Sequence, residues 1–190
     1  MRKNCWRQNS VAIAARLNDG ETLGDRIMKV NHAGEHGAIC IYTAQRWFAR
    51  WRAPKMVAEL DHFLEHERRH RDIFYGELQV RGRERCKSFH LCGLGGLLLG
   101  TITGLAGKQA IAATTVAIER TVLRHMEEQL LALQTADPSA HKAIATVIAD
   151  EQEHHDQSQS HLPQGSLWAK IVDPLVAGST AAVIFLGMHL

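Results

Sequence analysis

Cysteine is sparse in this chain, and its spacing suits no scaffold. Cys5, Cys40, Cys86 and Cys92 form no Cys-x-x-Cys pair. That argues against a thiolate metal knuckle and a disulfide framework, and in favour of free thiols in a reducing compartment. Only 4 prolines and 6% aromatics offer little to a β-sheet, while long runs of Ala, Leu, Ile and Glu favour helix. A formal charge of +2 is too small to attract a polyanion, so no nucleic acid is expected as a partner. No Gly-rich strand–turn–helix signature for a nucleotide is visible. The apolar run Val11–Ala15 is too short for the core of a secretory signal.

What remains is an ordinary globular composition, 45% hydrophobic and 22% charged over 190 residues, enough for one domain with a sizeable core. Residues 1–22 read as an N-terminal extension, basic and without an acid before Asp19. Such a segment suits an organelle transit peptide or the disordered or docked start of a bacterial chain. Residues 23–190 read as a single all-α domain of six helices.

Four of those helices are long and carry one apolar stripe each. The first is expected from about Leu23 to Arg52, with Met28, His32, Glu35, Ile39 and Tyr42 on one face. Pro54 opens the second, which carries Leu60, Phe63, Leu64, Glu67, His70 and Phe74 inward and ends near Val80. The third follows Lys108 and places Glu119 and Met126 on its inner face. Asp137-Pro138-Ser139 then starts the fourth, with Ile144, Val147, Glu151 and His154 inward. Two apolar pieces complete the chain, an insert over 88–107 with no charged side chain and a C-terminal segment over 166–190, expected to break at Pro174. Gly96, Gly100 and Gly104 in the insert have the four-residue spacing of close helix contacts. These pieces either close the core or face a membrane, with the basic run Arg81, Arg83, Arg85 and Lys87 then turned to anionic headgroups.

Four glutamates on apolar stripes demand an explanation. Burying an ionised carboxylate costs several kcal/mol even after relaxation, and four would exceed a typical stability of about 5–15 kcal/mol. Their positions are regular: 32 residues separate Glu35 from Glu67 and also Glu119 from Glu151. Glu67 and Glu151 each open a Glu-x-x-His, completed by His70 and His154. One Glu from each of two helices plus a Glu-x-x-His from two others is the donor set of a carboxylate-bridged two-metal centre in a four-helix bundle. Two divalent cations balance four carboxylates, and oxygen donors with one imidazole per metal suit iron or manganese. A single Glu-x-x-His is common, so the weight lies on all six together. His125 and His32 are candidates to orient ligands. His62, His66, His90, His141, His161 and His189 carry no functional reading.

The stretches Asp25–Ala38 (DRIMKVNHAGEHGA) and Asp150–Asp156 (DEQEHHD) resemble the demethoxyubiquinone hydroxylase family, as do Glu67–His70, Gly107-Lys108 and Val116–Glu119. The likeness runs from about Gly24 to the C-terminus. It implies a ferritin-like di-iron monooxygenase that uses O₂ to hydroxylate the ring of demethoxyubiquinol, the penultimate step of ubiquinone biosynthesis. Carried over by position, Glu35 and Glu119 are terminal ligands, Glu67 and Glu151 bridge, and His70 and His154 give one nitrogen to each of two Fe ions. His125 matches a histidine that the family places near the site, whereas Met126 stands where some members carry tyrosine, and Arg120 where an acid is common.

The family further implies a peripheral membrane protein, on the cytoplasmic face of a bacterial inner membrane or the matrix face of the mitochondrial one. Its expected partners are a polyprenyl quinol and other ubiquinone-biosynthesis proteins, with NADH or the quinone itself as electron source. A ferritin-like ferroxidase or iron-binding protein is the alternative on the same bundle; a metal-free scaffold is the third reading.

Overall fold

In the computed structural model, which describes residues 13–190, the chain folds into six α-helices and one short turn of 3₁₀ helix, with no strand among the described residues. Residues 1–12 of the expected extension over 1–22 lie outside the described residues. Its last part runs alongside the domain, where Ile13 and Ala15 pack on the core and the Arg16 amide donates to the Met188 carbonyl at 2.9 Å.

Helix α1 spans Leu23–Arg52 and starts at a reciprocal cap. The Thr22 hydroxyl accepts from the Asp25 amide, and the Asp25 carboxylate accepts from the Thr22 amide. Pro54–Met56 make the 3₁₀ turn that leads into α2, Val57–Val80. Helix α3 covers Phe89–Ala106 and α4 Lys108–Leu133, joined at Gly107, whose φ of 96° needs a residue without Cβ. Asp137 caps α5, Pro138–Ser160, by accepting from the Ala140 amide at 3.1 Å. Helix α6 then runs unbroken over Leu167–His189, with Pro174 inside it. The break expected there does not form. Pro174 and Lys170, whose carbonyl it leaves without an amide partner, both lie exposed, so water can take that bond.

Helices α1, α2, α4 and α5 form the bundle, with α3 laid along α1 and α6 along α4. Glycine decides how closely α3 and α1 approach. A Cβ at Gly96 would lie 2.3 Å from the Gly37 carbonyl oxygen, and one at Gly100 equally close to that of Ile41. The successive pairs advance together along both helices, so α3 runs parallel to α1. Gly34 differs from its neighbour Gly37: nothing lies within 4 Å of where its Cβ would be.

The core divides into two apolar clusters. Met28, Phe74, Leu78, Ile144 and Val147 belong to one, and Tyr42, Leu60, Phe63, Ala117 and Ile118 to the other. Along α1, α2 and α4 the donor residues Glu35, Glu67, His70 and Glu119 fall between the stretches that build these two clusters. One end of the bundle is tied by Arg81, which pairs with Asp137, Glu77 and Asp25, while Arg83 pairs with Asp25 and Arg85 lies over Tyr75 and Phe89. Arg81 and Arg83 are thus half-buried and spent on acids of the protein, so the expectation that they face headgroups fails, while Arg85 and Lys87 stay exposed. The outer faces of α3 and α6 are apolar and exposed, with Leu94, Leu98 and Ile102 on one and Leu175 and Phe185 on the other.

Candidate metal centre

Each of the four bundle helices delivers its donor from mid-length, where backbone hydrogen bonding is complete and the side chain alone is free to bind. Glu35, Glu67, His70, Glu119, Glu151 and His154 are all at most 6% exposed. Their donor atoms fall into two groups, each with every atom within 4.8 Å of the others: Glu35, Glu67, His70 and Glu151, and Glu67, Glu119, Glu151 and His154. Glu67 and Glu151 belong to both. The Glu-x-x-His spacing does not place each histidine beside its own helix's glutamate alone. Nδ1 of His70 lies 2.8 Å from Oε1 of Glu151, and Nδ1 of His154 lies 3.2 Å from Oε1 of Glu67.

These inner atoms are close without being hydrogen-bonded. Both carboxylate oxygens of Glu67, Oε1 of Glu151 and Nδ1 of both histidines have no hydrogen-bond partner. Buried polar atoms are seldom orphaned in this way. Among the described residues no Lys or Arg pairs with any of the four glutamates. Burial, followed by the charge of neighbouring carboxylates, raises the pKa of Glu35, Glu67 and Glu119 well above the usual carboxylate range, and burial above all raises Glu151 to about 8. Without a cation this cluster holds protons at neutral pH. Two divalent cations satisfy the same atoms and neutralise the same charge, so the donor set fits a dinuclear metal centre.

The outer nitrogens are held. Nε2 of His70 is 2.8 Å from Oδ2 of Asp150, and Nε2 of His154 is 3.2 Å from Nδ1 of His66. Tyr42 donates its hydroxyl to Oε1 of Glu119 at 2.5 Å. Sequence reasoning passed over Asp150 and set His66 aside. Their one shared signal is position, each standing immediately before a Glu of a Glu-x-x-His. Of the two candidate orienting residues, His32 is stacked between Tyr75 and Phe89, whereas His125 faces the cavity described next. His62, His66 and Glu153 also bring donor atoms together. However, His66 turns Nδ1 to His154, and a cation on its other nitrogen would force two N–H groups to face each other there.

A cavity of about 250 Å³ opens on the centre. All four glutamates line it, with Gly34 and Ala38 of α1, Leu99 of α3, Val122 of α4 and Val183 of α6 among its walls. It exceeds the ~150 Å³ that accommodates benzene in a protein interior. By length and composition α3 and α6 are each able to cross a membrane. In the fold they lie against the bundle instead, on either side of this cavity.

An all-helical bundle with paired Glu and Glu-x-x-His side chains opening on an apolar pocket defines a ferritin-like protein with a candidate metal centre. A family model described as "Ubiquinone biosynthesis protein COQ7" matches residues 22–187, and the chain belongs to that family. It is 32% identical over 168 residues to the mouse "NADPH-dependent 3-demethoxyubiquinone 3-hydroxylase, mitochondrial", covering 84% of this chain and 75% of the relative. It is 33% identical over 132 residues to the Rhodospirillum rubrum "3-demethoxyubiquinol 3-hydroxylase", covering 70% and 62%. With the yeast "5-demethoxyubiquinone hydroxylase, mitochondrial" it shares 32% over 153 residues, 72% of this chain and 65% of the relative.

Proposed function

We propose that this protein hydroxylates the ring of demethoxyubiquinol in ubiquinone biosynthesis, as a monooxygenase with a di-iron centre. The observation that carries the reading is the shared pocket: the two overlapping donor groups open directly onto an apolar cavity wide enough for a substituted ring. Glu35 and His70 would hold one iron and Glu119 and His154 the other, with Glu67 and Glu151, common to both donor groups, available to each. When bound, the irons supply the reductive activation of O₂ that places one oxygen atom on a ring carbon and releases the other as water. The two electrons come from a reduced nicotinamide nucleotide, in line with the mouse relative's name.

The chain's own residues do the rest. Tyr42 fixes Glu119 by a buried hydrogen bond to its Oε1, so that carboxylate is aimed before a cation arrives. Apolar side chains from α1, α3, α4 and α6 keep water from the ring and orient it toward the carboxylates. The absent side chain of Gly34 leaves room beside Glu35. The exposed apolar faces of α3 and α6 rest on the surface of an inner membrane, and the polyprenyl tail stays in the bilayer while the ring lies between these helices. A ferroxidase on the same bundle needs no such apolar faces and is the weaker reading.

The test is a deletion strain complemented with this chain. Restored ubiquinone, with a demethoxy precursor that accumulates again when Glu151→Ala is supplied, supports the proposal. Normal ubiquinone in the deletion strain itself rules out the substrate.

A further inference from the structure

The two halves of the centre are built alike in their inner donors and differently in what stands behind them. In each half the residue just before the bridging glutamate reaches across to the opposite half's histidine. Asp150, before Glu151, meets Nε2 of His70, and His66, before Glu67, meets Nε2 of His154. One backing group is a carboxylate and the other an imidazole, whose Nδ1 also lies 3.8 Å from Oδ1 of Asp150. Both histidines turn Nδ1 inward, so each Nε2 carries the proton and donates outward.

A carboxylate accepting that hydrogen bond pulls the proton away and makes the imidazole a stronger donor to its metal. An imidazole nitrogen does so far less. From this asymmetry we infer that the two cation positions are unequal, the His70 position binding more tightly than the His154 position, with Asp150 and His66 as the positioning residues that set the difference. The inference rests on the metal-centre reading above. Arg69 also pairs with Asp150, at 2.5 Å, and it draws charge from that carboxylate, so the tightening is the net of the two contacts.

The experiment is a titration of the metal-free full-length protein with Co²⁺, followed by its visible absorption and by competition with a chelator. Repulsion between two cations separates the steps in any dinuclear site, so the deciding quantity is how substitution changes the separation. Asp150→Asn keeps the shape and removes the charge, and it should weaken the tighter step roughly 10–100-fold and draw the two together. His66→Asp places a carboxylate oxygen at the same number of bonds from the backbone as Nδ1, and it should tighten the weaker step. Arg69→Gln should leave the steps at least as far apart as in the parent, which a general loosening of the α2–α5 contact would not. Steps separated in Asp150→Asn as in the parent, in folded protein, overturn the inference while leaving the centre intact. Failure of the parent to bind Co²⁺ at all overturns the centre itself, and with it the inference.

Discussion

The hydroxyl of Tyr42 donates to Oε1 of Glu119 at 2.5 Å, both side chains buried in the core. The contact joins α1 to α4 at the level of the donor set and orients one carboxylate. It also raises the cost of any motion that would let Glu119 turn away.

Tyr42→Phe removes that bond without opening a cavity. A hydrogen bond to a charged acceptor contributes about 1.5–3 kcal/mol, so loss of metal affinity on the order of tenfold is expected. Chelator competition at neutral pH checks this. Unchanged affinity would show that Glu119 is held by its metal alone.

The closeness of α3 to α1 predicts a sharp position dependence among glycines. Gly100→Ala drives a methyl against the Ile41 carbonyl and should destabilise by about 1–3 kcal/mol. Gly178→Ala in α6 meets nothing within 4 Å and should stabilise by up to ~1 kcal/mol. Denaturant titration of both variants separates packing from helix propensity.

Gly34 lines the cavity with open space where its side chain would be. Gly34→Leu fills that space at no cost to the helix. Metal content and melting temperature should hold, while kcat/KM for a demethoxyquinol falls roughly 10²-fold. Full activity in this variant would mean that the ring binds elsewhere.

Stability should depend on pH in opposite senses with and without metal. An acid whose pKa is raised on folding contributes fully below its unfolded value and loses that contribution as pH climbs through the folded one. Glu151, raised from 4.5 to about 8, and the other three carboxylates, shifted the same way, should make the metal-free protein less stable across that interval. Cations compete with those protons, so the stabilisation they give grows over the same range. Glu21 acts in a separate window. Burial would raise its pKa, yet the Asn18 amide, Lys29 and Arg26 outweigh that and hold it at about 2. The stability Glu21 contributes is thus present above 4.5 and lost as pH falls toward 2. Melting curves from acid to mildly alkaline pH, with and without metal, test both.

Much of this was legible in the sequence, because helical periodicity and buried charge are local signals. The stripes carrying Glu35, Glu67, Glu119 and Glu151 fixed which faces turn inward, and the Asp137-Pro138 start of α5 followed from cap chemistry. What stayed hidden depends on contacts between helices. Asp150 and His66 sit one residue off the inward stripe, and only the crossing of α2 and α5 brings them to the outer nitrogens. Tyr42 lay on the stripe but read as core, since nothing local marks its hydroxyl as paired. His32 is one turn from Glu35, yet the aromatic rings of Tyr75 and Phe89 claim it. Pro174 is a reliable breaker only where the carbonyl it strands is dry.

Anomalous scattering at the iron edge from crystals grown under reducing, iron-replete conditions tests the central claim most directly. Two peaks about 3.5–4 Å apart are expected between Glu67 and Glu151, one beside His70 and the other beside His154. An iron-free cavity in those crystals, with the four carboxylates protonated and paired to one another, would contradict it.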